Sequence, residues 1–399
     1  MKKKTFYLQT YGCAYNKVDS QIIREILKKN NFIETPIQNS YFIIINTCAV
    51  KGVTENKIMY QLKILSQKFI KKKIVITGCL PQISKNTLKR IIDIVPSFSA
   101  IIDVNCIHKI HLILEEILKG KTRIIKKSTK KIDKSKFLLN YPQNNTTAIV
   151  PISEGCLGNC TYCCVKNSRG RLYSFDLKNI LNQLKYQFKK KKKEIFLTAQ
   201  DCSCYYYNGL NFVDLLKKIL SLNQKFYLRI GMINPTFFIN FSDDFIKLYQ
   251  DKKLYKFLHI PIQSGSDEIL KKMGRNYEIP PLKKKIMNLK KKIPKLTIET
   301  DIICGFPGEN QREFKETLSF IKWLKPEILN ISKFSPRPGT VAKKKPQVKS
   351  EIIKLRTREL TNLYNKMKLN YFRKWINWKG EILITKKVKD NLYFAKNIY

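Results

Sequence analysis

The sequence predicts an α/β protein with three parts: an N-terminal parallel sheet of βαβ units, a central partial (βα)6 barrel and a short C-terminal β segment. Three observations lead to this prediction. Apolar runs alternate with helical patterns at the start of the chain, and a second alternating series of six strand candidates follows. The chain then ends in a basic helix and a short β-prone stretch. Its 399 residues suit two or three domains rather than one core.

The N-terminal domain is predicted to cover residues 1–120. Apolar runs at 5–9, 41–46 and 73–77 are typical of buried parallel strands. A helical pattern at 20–31 places four apolar side chains on one face: Ile22, Ile23, Ile26 and Leu27. This alternation of strand and helix predicts a parallel βαβ sheet.

The remainder of the chain divides into four predicted segments. Residues 121–145 are basic and poor in apolar side chains, which predicts a linker. Residues 146–349 alternate strand and helix, which predicts a partial (βα)6 barrel. Residues 350–376 predict a basic amphipathic helix, and residues 377–399 predict one or two short strands. The six barrel strand candidates are 148–153, 194–198, 226–233, 257–263, 296–305 and 328–335.

The charge of the chain is strongly positive. Lys and Arg number 77 against 30 Asp and Glu, for a formal net charge of +47. Part of this excess reflects a general enrichment in lysine along the chain, and the remainder favours a polyanionic partner, most simply a nucleic acid. The alternative is a solvated basic surface without a partner.

The cysteine content indicates a reducing compartment. The chain has 11 cysteines, and its start lacks the apolar segment of a secretory signal. No apolar run approaches the roughly 20 residues of a membrane span, so we expect a cytoplasmic protein without a membrane partner. Grouped cysteines then indicate metal or cluster ligands. Only three histidines are present, without the spacing of a helical zinc pair, which argues against a histidine-rich zinc hydrolase.

The first cysteine set follows the first barrel strand candidate. Cys156, Cys160 and Cys163 have the spacing C-x3-C-x2-C, and Gly155 and Gly158 allow the loop to curl so that the thiolates face one point. Three thiolates bind three irons of a 4Fe-4S cube and leave the fourth iron open. The alternatives are zinc, for which the neighbouring fourth cysteine has poor geometry, and buried structural cysteines.

The second cysteine set is dispersed. Cys13, Cys48 and Cys79 each end an apolar strand candidate, and the carboxyl ends of parallel strands line one edge of a sheet. The three thiols are therefore expected to converge there, with Gly12 and Gly78 leaving room for a bulky group. The alternative is that each cysteine is simply buried near a strand end. Four further cysteines show no such pattern and are predicted to be structural: Cys106, Cys202, Cys204 and Cys304. Two of them, Cys202 and Cys204, lie close to the predicted cofactor loop, which leaves a role there open.

The loop SEGCLGNCTYC resembles the C-x3-C-x-aromatic-C loop of the radical S-adenosylmethionine superfamily. The resemblance implies that the open iron binds S-adenosylmethionine, whose cleavage gives a 5′-deoxyadenosyl radical. It also implies cofactor contacts at the C-terminal ends of later barrel strands. The cofactor-binding residues predicted on this basis are Tyr162, Gln200, Asp201, Arg229, Gln263, Ser264 and Gly305.

The two cysteine sets together resemble the methylthiotransferase family, which has a three-cysteine N-terminal domain, a radical barrel and a small β domain. Three segments are most similar to its archaeal and eukaryotic branch: SEGCLGNCTYC, RGRLYSF and RIGMINP. That branch acts on N6-threonylcarbamoyladenosine at position 37 of tRNA, beside the anticodon. The family blocks cover nearly the whole chain: YGCAYNKVDS, NTC, TGC, SEGCLGNCTYC, TAQDCSCY, RIGMINP, FLHIPIQSGSD, TDIICGFPGE and FSPRPGT.

The resemblance implies two 4Fe-4S clusters and S-adenosylmethionine as both methyl donor and radical source. The second cluster would hold sulfur, and the methylthio group would reach C2 of the adenine. The implied partners are the tRNA anticodon arm, an unidentified electron donor and an unidentified sulfur source, with the protein acting as a monomer. Arg169, Arg275 and Arg337 are candidates for binding the substrate carboxylate. The C-terminal segment is shorter than the family's RNA-binding barrel and is predicted to be a truncated TRAM-like element.

Other functions compatible with these motifs remain. The same chemistry could act on N6-isopentenyladenosine of tRNA or on an aspartate of a ribosomal protein, and the positive charge favours the RNA substrates. A non-catalytic RNA-binding iron–sulfur protein would lack S-adenosylmethionine binding. A zinc-binding RNA module would take up zinc rather than two clusters' worth of iron.

Overall fold

A computed structural model describes residues 4–142 and 145–399. Residues 1–3 of the predicted N-terminal domain and residues 143–144 of the predicted linker lie outside this described part. Among the described residues, none of the helices combines the length and the apolar character that crossing a membrane requires. The predicted α/β class with parallel sheets is confirmed.

A six-stranded, wholly parallel sheet forms the N-terminal part. Its order is β2-β1-β3-β4-β5-β6, so the three strands that precede the dispersed cysteines are neighbours. Strand β3 is buried at every position because helices cover both faces of the sheet. The strands are β1 (Thr5–Thr10), β2 (Ile33–Glu34), β3 (Phe42–Thr47), β4 (Lys73–Gly78), β5 (Ala100–Ile102) and β6 (Ile124–Lys126). The helices are α1 (Ala14–Lys29), α2 (Gly52–Lys68), α3 (Lys85–Ile94) and α4 (Ile110–Leu118).

The segment predicted as a linker carries ordered structure. Its residues 124–126 form β6, which pairs with β5 at the edge of the N-terminal sheet. A 3-10 turn follows at Lys134–Lys136, and the Lys134 side chain is fully buried. Low apolar content suggested a linker, but backbone pairing and a buried ion-pair cluster stabilise this segment instead.

The six predicted barrel strands are present as two parallel three-stranded sheets, β13-β10-β7 and β14-β15-β16. Single hydrogen bonds connect the sheets, such as that from the Ile233 amide to the His259 carbonyl at 2.9 Å. The third and fourth strands are shorter than predicted, since continuous strand pairing ends at Arg229 and at His259 and only isolated contacts continue beyond them. The six are β7 (Thr147–Pro151), β10 (Glu194–Thr198), β13 (Tyr227–Arg229), β14 (Phe257–His259), β15 (Thr297–Cys304) and β16 (Ile328–Lys333).

Short strands and eight helices complete the described fold of this region. The short strands β8 (Ser153–Glu154) and β9 (Tyr173–Ser174) pair with each other, as do β11 (Tyr206–Tyr207) and β12 (Leu210–Asn211). The predicted basic helix is α12 (Ser350–Arg373). The other helices are α5 (Val165–Arg169), α6 (Leu177–Lys189), α7 (Phe212–Leu220), α8 (Pro235–Leu248), α9 (Asp267–Lys272), α10 (Ile279–Lys292) and α11 (Gln311–Leu324).

The C-terminal segment is an antiparallel hairpin of β17 (Leu383–Lys389) and β18 (Leu392–Lys396). It contacts the N-terminal ends of the barrel strands, opposite the end that carries the cysteine loop. Lys396 pairs with buried Glu194 at 2.8 Å, and the Lys256 amide donates to the Ile398 carbonyl at 2.7 Å. Two strands are present, as predicted, while the TRAM-like assignment stays a prediction.

Candidate metal centres and active site

The structure brings the dispersed cysteines together at one edge of the N-terminal sheet. Cys13 follows β1, Cys48 follows β3 and Cys79 follows β4, and these strands are adjacent and parallel. Cys48 and Cys79 are buried whereas Cys13 is exposed. The carboxyl ends of the strands therefore present two enclosed thiols and one open to solvent, as expected from the positions of the residues.

Gly12 packs closely against Cys48. A Cβ at this position would lie 2.7 Å from Cys48 Cβ and 2.8 Å from Cys48 Sγ. The residue also has φ +106°, a conformation that L side chains rarely adopt. The missing side chain therefore lets the Gly12 backbone pack directly against the buried thiol of Cys48.

Burial controls the chemistry of these thiols. It raises the pKa of Cys48 to about 11, an effect that the Val50 amide partly offsets and the nearby Cys79 and Cys13 reinforce. Burial also raises the pKa of Cys79, while the Arg169 guanidinium acts in the opposite direction. Such thiols remain protonated near neutral pH until a bound metal displaces the proton.

A buried cluster of charges lies behind the dispersed cysteines. Arg169 pairs with Asp19 at 2.7 Å and with Glu154 at 2.7 Å, and Lys134 pairs with the same two carboxylates at 2.8 Å each. All four side chains are at most 2% exposed. Although burial alone would raise the pKa of Glu154, the two cations hold it below its usual value. Of these four residues, only Arg169 was predicted from the sequence to lie at a functional site.

The contiguous cysteine set lies on the loop between β8 and α5. Gly155 has φ +85°, and a Cβ there would lie 2.1 Å from the Arg171 carbonyl oxygen. The Gly158 amide donates to Cys156 Sγ at 3.2 Å, and a Cβ on Gly158 would lie 3.3 Å from that sulfur and 3.7 Å from Cys160 Sγ. Both glycines therefore permit the tight curl that was predicted from the sequence.

Two residues next to the loop contact it directly. Arg275 Nη1 donates to Cys160 Sγ at 3.6 Å, and its Nη2 donates to the Pro261 carbonyl at 2.7 Å. Tyr162 packs edge-on against Phe306, with ring centroids 6.3 Å apart. These contacts attach the loop to the α9 region and to the turn after β15.

The loop after β10 approaches Cys156. Gln200 Oε1 accepts from the Gly155 amide at 2.6 Å, and Asp201 Oδ2 accepts from Cys204 Sγ at 3.0 Å. When the Cys204 thiol donates to Cys156 instead, this hydrogen bond lowers the pKa of Cys156 to about 7. Cys204 therefore contacts the predicted site, in agreement with its position close to the predicted cofactor loop in the sequence.

The two predicted cysteine sets are not arranged as a compact single-zinc site. Thiolates around one zinc, with Zn–S near 2.3 Å, lie about 3.8 Å apart. Within the described part of the chain, the one trio of ligand atoms mutually within 4.8 Å is Cys156, Asp201 and Cys204. In neither predicted cysteine set do the three sulfurs all lie this close together, so neither is preformed for a single zinc ion. In the predicted clusters each thiolate would bind a different iron.

The two cysteine sets lie next to each other. Cys164 Sγ donates to the Ala49 carbonyl at 3.3 Å, so the residues that directly follow Cys163 and Cys48 are in contact. Arg337 Nη2 donates to the same carbonyl at 2.8 Å. The N-terminal sheet edge and the barrel loop therefore form one continuous region.

Comparisons with known proteins agree with this geometry. Residues 150–321 match the radical SAM superfamily, and residues 5–98 match the uncharacterized protein family UPF0004. Probable threonylcarbamoyladenosine tRNA methylthiotransferases from Pyrococcus horikoshii and Methanocaldococcus jannaschii are 36% and 35% identical to this chain. The matches cover 95% and 98% of this chain and 88% and 90% of those proteins. The chain belongs to the threonylcarbamoyladenosine tRNA methylthiotransferase family.

This family member also resembles solved radical SAM enzymes. The methyltransferase TsrM from Kitasatospora setae has a TM-score of 0.62 at 10% identity, over 85% of this chain and 75% of that one. OxsB has a TM-score of 0.55 at 13% identity, over 93% and 56%. At these identities the likeness shows the fold alone. The chain is a radical SAM enzyme of the methylthiotransferase family and therefore uses a 4Fe-4S cluster and S-adenosylmethionine. This confirms the predicted cofactors and the predicted enzyme class.

The remaining predicted cofactor residues differ in their surroundings. Arg229 faces the barrel interior and lies 3.6 Å from Glu299. Gln263 has φ +80°, and its amide donates to the Asp301 carbonyl at 2.8 Å. Ser264 is buried and shares a hydrogen bond with the hydroxyl of Thr317 at 3.3 Å. Their roles in cofactor binding stay predictions, and Ser264 has a packing role against α11.

Gly305 is required for helix packing. It has φ +77°, and a Cβ there would lie 2.3 Å from Ile353 Cγ1 of α12. Its amide donates to Glu309 Oε2 at 2.6 Å. This glycine therefore allows the basic helix to approach the turn after β15, while cofactor binding by Gly305 stays a prediction.

The three arginines predicted to bind the substrate carboxylate already have protein partners. Arg169 is enclosed by the buried charge cluster, Arg275 contacts Cys160, and Arg337 pairs with Glu55 at 2.6 Å. Their side chains are oriented toward the two cysteine sets or the contact between them. Substrate binding by any of them stays a prediction.

A polar network inside the barrel was missed. His259 Nε2 lies 2.7 Å from Asp301 Oδ2, and Asn330 Nδ2 donates to Glu299 Oε1 at 2.9 Å. Along β15 the half-buried positions 299, 301 and 303 alternate with buried ones, so the acidic side chains face the barrel interior. Two acidic residues spaced two apart in an apolar strand were the signal that could have identified this network.

Proposed function

We propose that this protein converts N6-threonylcarbamoyladenosine beside the anticodon of tRNA to its 2-methylthio derivative. The observation that carries the proposal is the contact between the two three-cysteine sets through Cys164 and Ala49. A sulfur-bearing cluster and a radical-generating cluster would then serve one substrate position. The names of relatives that match nearly the whole chain support the choice of tRNA substrate.

The two cysteine sets would hold clusters with different roles. Cys156, Cys160 and Cys163 would hold the radical cluster, and Cys13, Cys48 and Cys79 the auxiliary cluster. Together with S-adenosylmethionine, the clusters supply radical chemistry for an adenine C–H bond that acid–base catalysis cannot activate. The polar barrel interior, with Arg229, His259 and Asp301, would orient polar groups of the cofactor.

The charge of the protein fits a tRNA substrate. A net charge of +47 would give strong, salt-dependent attraction to the phosphates of an anticodon arm. The target base would have to leave its stack to reach the enclosed cysteine region. We also propose that the protein acts as a monomer in the cytoplasm, with a separate electron donor and a separate sulfur source.

The test is mass spectrometry of tRNA nucleosides from cells with and without the gene. We expect 2-methylthio-N6-threonylcarbamoyladenosine to disappear on deletion and to return with the intact gene. Loss of the 2-methylthio form of isopentenyladenosine instead would identify the other tRNA substrate. Unchanged tRNA nucleosides would contradict the proposal.

A further inference from the structure

Arg169 links the two cysteine sets through its side chain. It ends α5, directly after the cysteine loop, and is 2% exposed. Its Nε donates to Cys79 Sγ at 3.2 Å, and its Nη1 donates to Glu154 Oε1 at 2.7 Å. Its Nη2 donates to Asn16 Oδ1 at 2.8 Å and lies 2.7 Å from Asp19 Oδ2. Every guanidinium nitrogen therefore contacts a protein group, and one of these groups is a predicted cluster ligand.

The neighbours of Arg169 fix its orientation. Two buried carboxylates, Asp19 and Glu154, hold the Nη nitrogens, and Lys134 binds the same carboxylates from the other side. The guanidinium also lies over the Tyr15 ring, with its central carbon 4.8 Å from the ring centroid. A planar group restrained in this way cannot rotate without breaking buried ion pairs, so its Nε–H stays directed at the sulfur of Cys79.

Asn16 supports the same sulfur. Its side-chain amide donates to the Tyr11 and Thr47 carbonyls at 2.7 and 2.9 Å, which fixes the direction of its oxygen. That oxygen accepts from the Cys79 thiol at 3.7 Å and from Arg169 Nη2 at 2.8 Å. Asn16 therefore helps to fix the guanidinium that donates to Cys79.

We propose that Arg169 is a positioning residue for the auxiliary cluster, which orients Cys79 and raises the reduction potential of the cluster through an N–H···S hydrogen bond. The inference rests on the proposed function, because it assumes a cluster on Cys13, Cys48 and Cys79. Reduction adds negative charge to a cluster, and a hydrogen-bond donor with a positive charge at a ligand sulfur stabilises that charge. This role differs from binding the substrate carboxylate, which would require an accessible guanidinium.

The test is a redox titration of the auxiliary cluster alone, monitored by electron paramagnetic resonance. The full chain would be reconstituted without tRNA in a background that lacks the loop cluster: C156A, C160A and C163A. The variants are R169K, which keeps the charge but loses the planar fork, and R169Q/D19N, which removes the arginine together with one buried partner. We expect the ratio of reduced to oxidised auxiliary cluster at a fixed potential to fall at least tenfold in R169Q/D19N. For a one-electron couple this corresponds to a decrease of about 59 mV in the reduction potential. A smaller fall is expected for R169K.

Two control variants separate this role from a general loss of arginine. Arg356 is buried and pairs with Glu309 at 2.9 Å, far along the chain from the cysteine sets. Arg171 is exposed and close to Arg169 in sequence. Neither R356Q nor R171Q is expected to change the potential of the auxiliary cluster.

Iron analysis in the background with all six cysteines completes the test. Selective loss of auxiliary iron in the Arg169 variants, with loop-cluster iron retained, would support the positioning role. An unchanged potential with full iron would overturn it, and so would equal loss of both clusters, which indicates a purely structural role. If the potential of the auxiliary cluster shifts in the Arg169 variants but the wild-type protein leaves tRNA unmodified, the proposed function is wrong while the role of Arg169 is supported.

Discussion

Cys164 Sγ lies 3.3 Å from the Ala49 carbonyl oxygen, so residues that immediately follow a ligand of each predicted cluster are in direct contact. The contact joins two regions separated by more than 100 residues of sequence. Glu55 and Arg337 strengthen it with a buried ion pair at 2.6 Å. A single substrate base could therefore be reached from both clusters, and the two sets can be tested separately by substitution.

Replacing Cys48 with alanine should separate the two activities. We expect methylthiolation of tRNA to fall below detection because the auxiliary set loses one of three ligands. Reductive cleavage of S-adenosylmethionine, measured as 5′-deoxyadenosine by chromatography, should persist because the loop set is intact. Cys106→Ala is the matched control, since Cys106 is also a buried cysteine of the N-terminal domain but belongs to neither set. Loss of both activities in Cys48→Ala would mean that the N-terminal cysteines are structural.

Replacing Gly12 with alanine should weaken binding of the auxiliary cluster. The new Cβ would lie 2.8 Å from Cys48 Sγ and occupy the space beside that thiol. We expect iron per chain after reconstitution to fall by about half, as one of two clusters is lost. Gly120→Ala is the control, because Gly120 has a similar φ of +95° but open space around it. Equal iron in both variants would show that the clash at Cys48 is unimportant.

The sequence predicted the location of the cysteines better than their surroundings. Cys13, Cys48 and Cys79 could be placed at one sheet edge because each ends an apolar run and parallel strands share a direction. Sequence periodicity could not show that β1, β3 and β4 are adjacent, nor that Arg169 reaches Cys79, since both depend on tertiary packing. The curl of the loop was predictable because it depends on local glycines.

The linker prediction illustrates the limit of composition. A lysine in a basic, weakly apolar segment normally faces solvent, because burying a charge is costly. Lys134 is buried because its acidic partners, Asp19 and Glu154, come from other elements. Such a cluster leaves no periodic signal. The barrel network is a different case, because Glu299 and Asp301 alternate along β15 and so left a periodic signal, while their neighbour His259 belongs to a separate strand.

Replacing Lys134 with methionine should destabilise the protein. The change leaves Asp19 and Glu154 with one cation between them, and removing one partner of a buried ion pair costs about 3–5 kcal/mol. We expect an earlier unfolding transition in urea, followed by circular dichroism. Lys136→Met, at an exposed position of the same turn, should change the transition by less than about 0.5 kcal/mol. Similar curves for the two variants would contradict a structural role for the buried cluster.

Removing residues 377–399 should affect stability more than tRNA binding. The hairpin covers the N-terminal ends of the barrel strands, where Lys396 neutralises Glu194, whose side chain is 1% exposed. Without the hairpin this carboxylate loses its cation, so the thermal unfolding midpoint should fall. The cysteine loop lies at the opposite end of the barrel, and a tRNA approaching it would meet other basic surfaces. We therefore expect the Kd for the anticodon arm to change less than about threefold, since those surfaces would still neutralise most of the phosphates.

Removing positive charges from α12 should weaken tRNA binding more than removing the hairpin does. Lys354 and Arg358 are exposed on the first turns of this helix, where packing of Ile353 against Gly305 places them near the turn after β15 and therefore at the cysteine-loop end of the barrel. Replacing both with glutamine should weaken tRNA binding and reduce the slope of log Kd against log salt by about 0.9 for each phosphate that the helix no longer neutralises. Filter binding over a salt series measures both quantities. The opposite result would be a large loss of affinity in the truncated protein together with an unchanged salt slope in the helix variant. That result would assign the RNA-binding surface to the hairpin, because the salt dependence comes from the surface that neutralises phosphates.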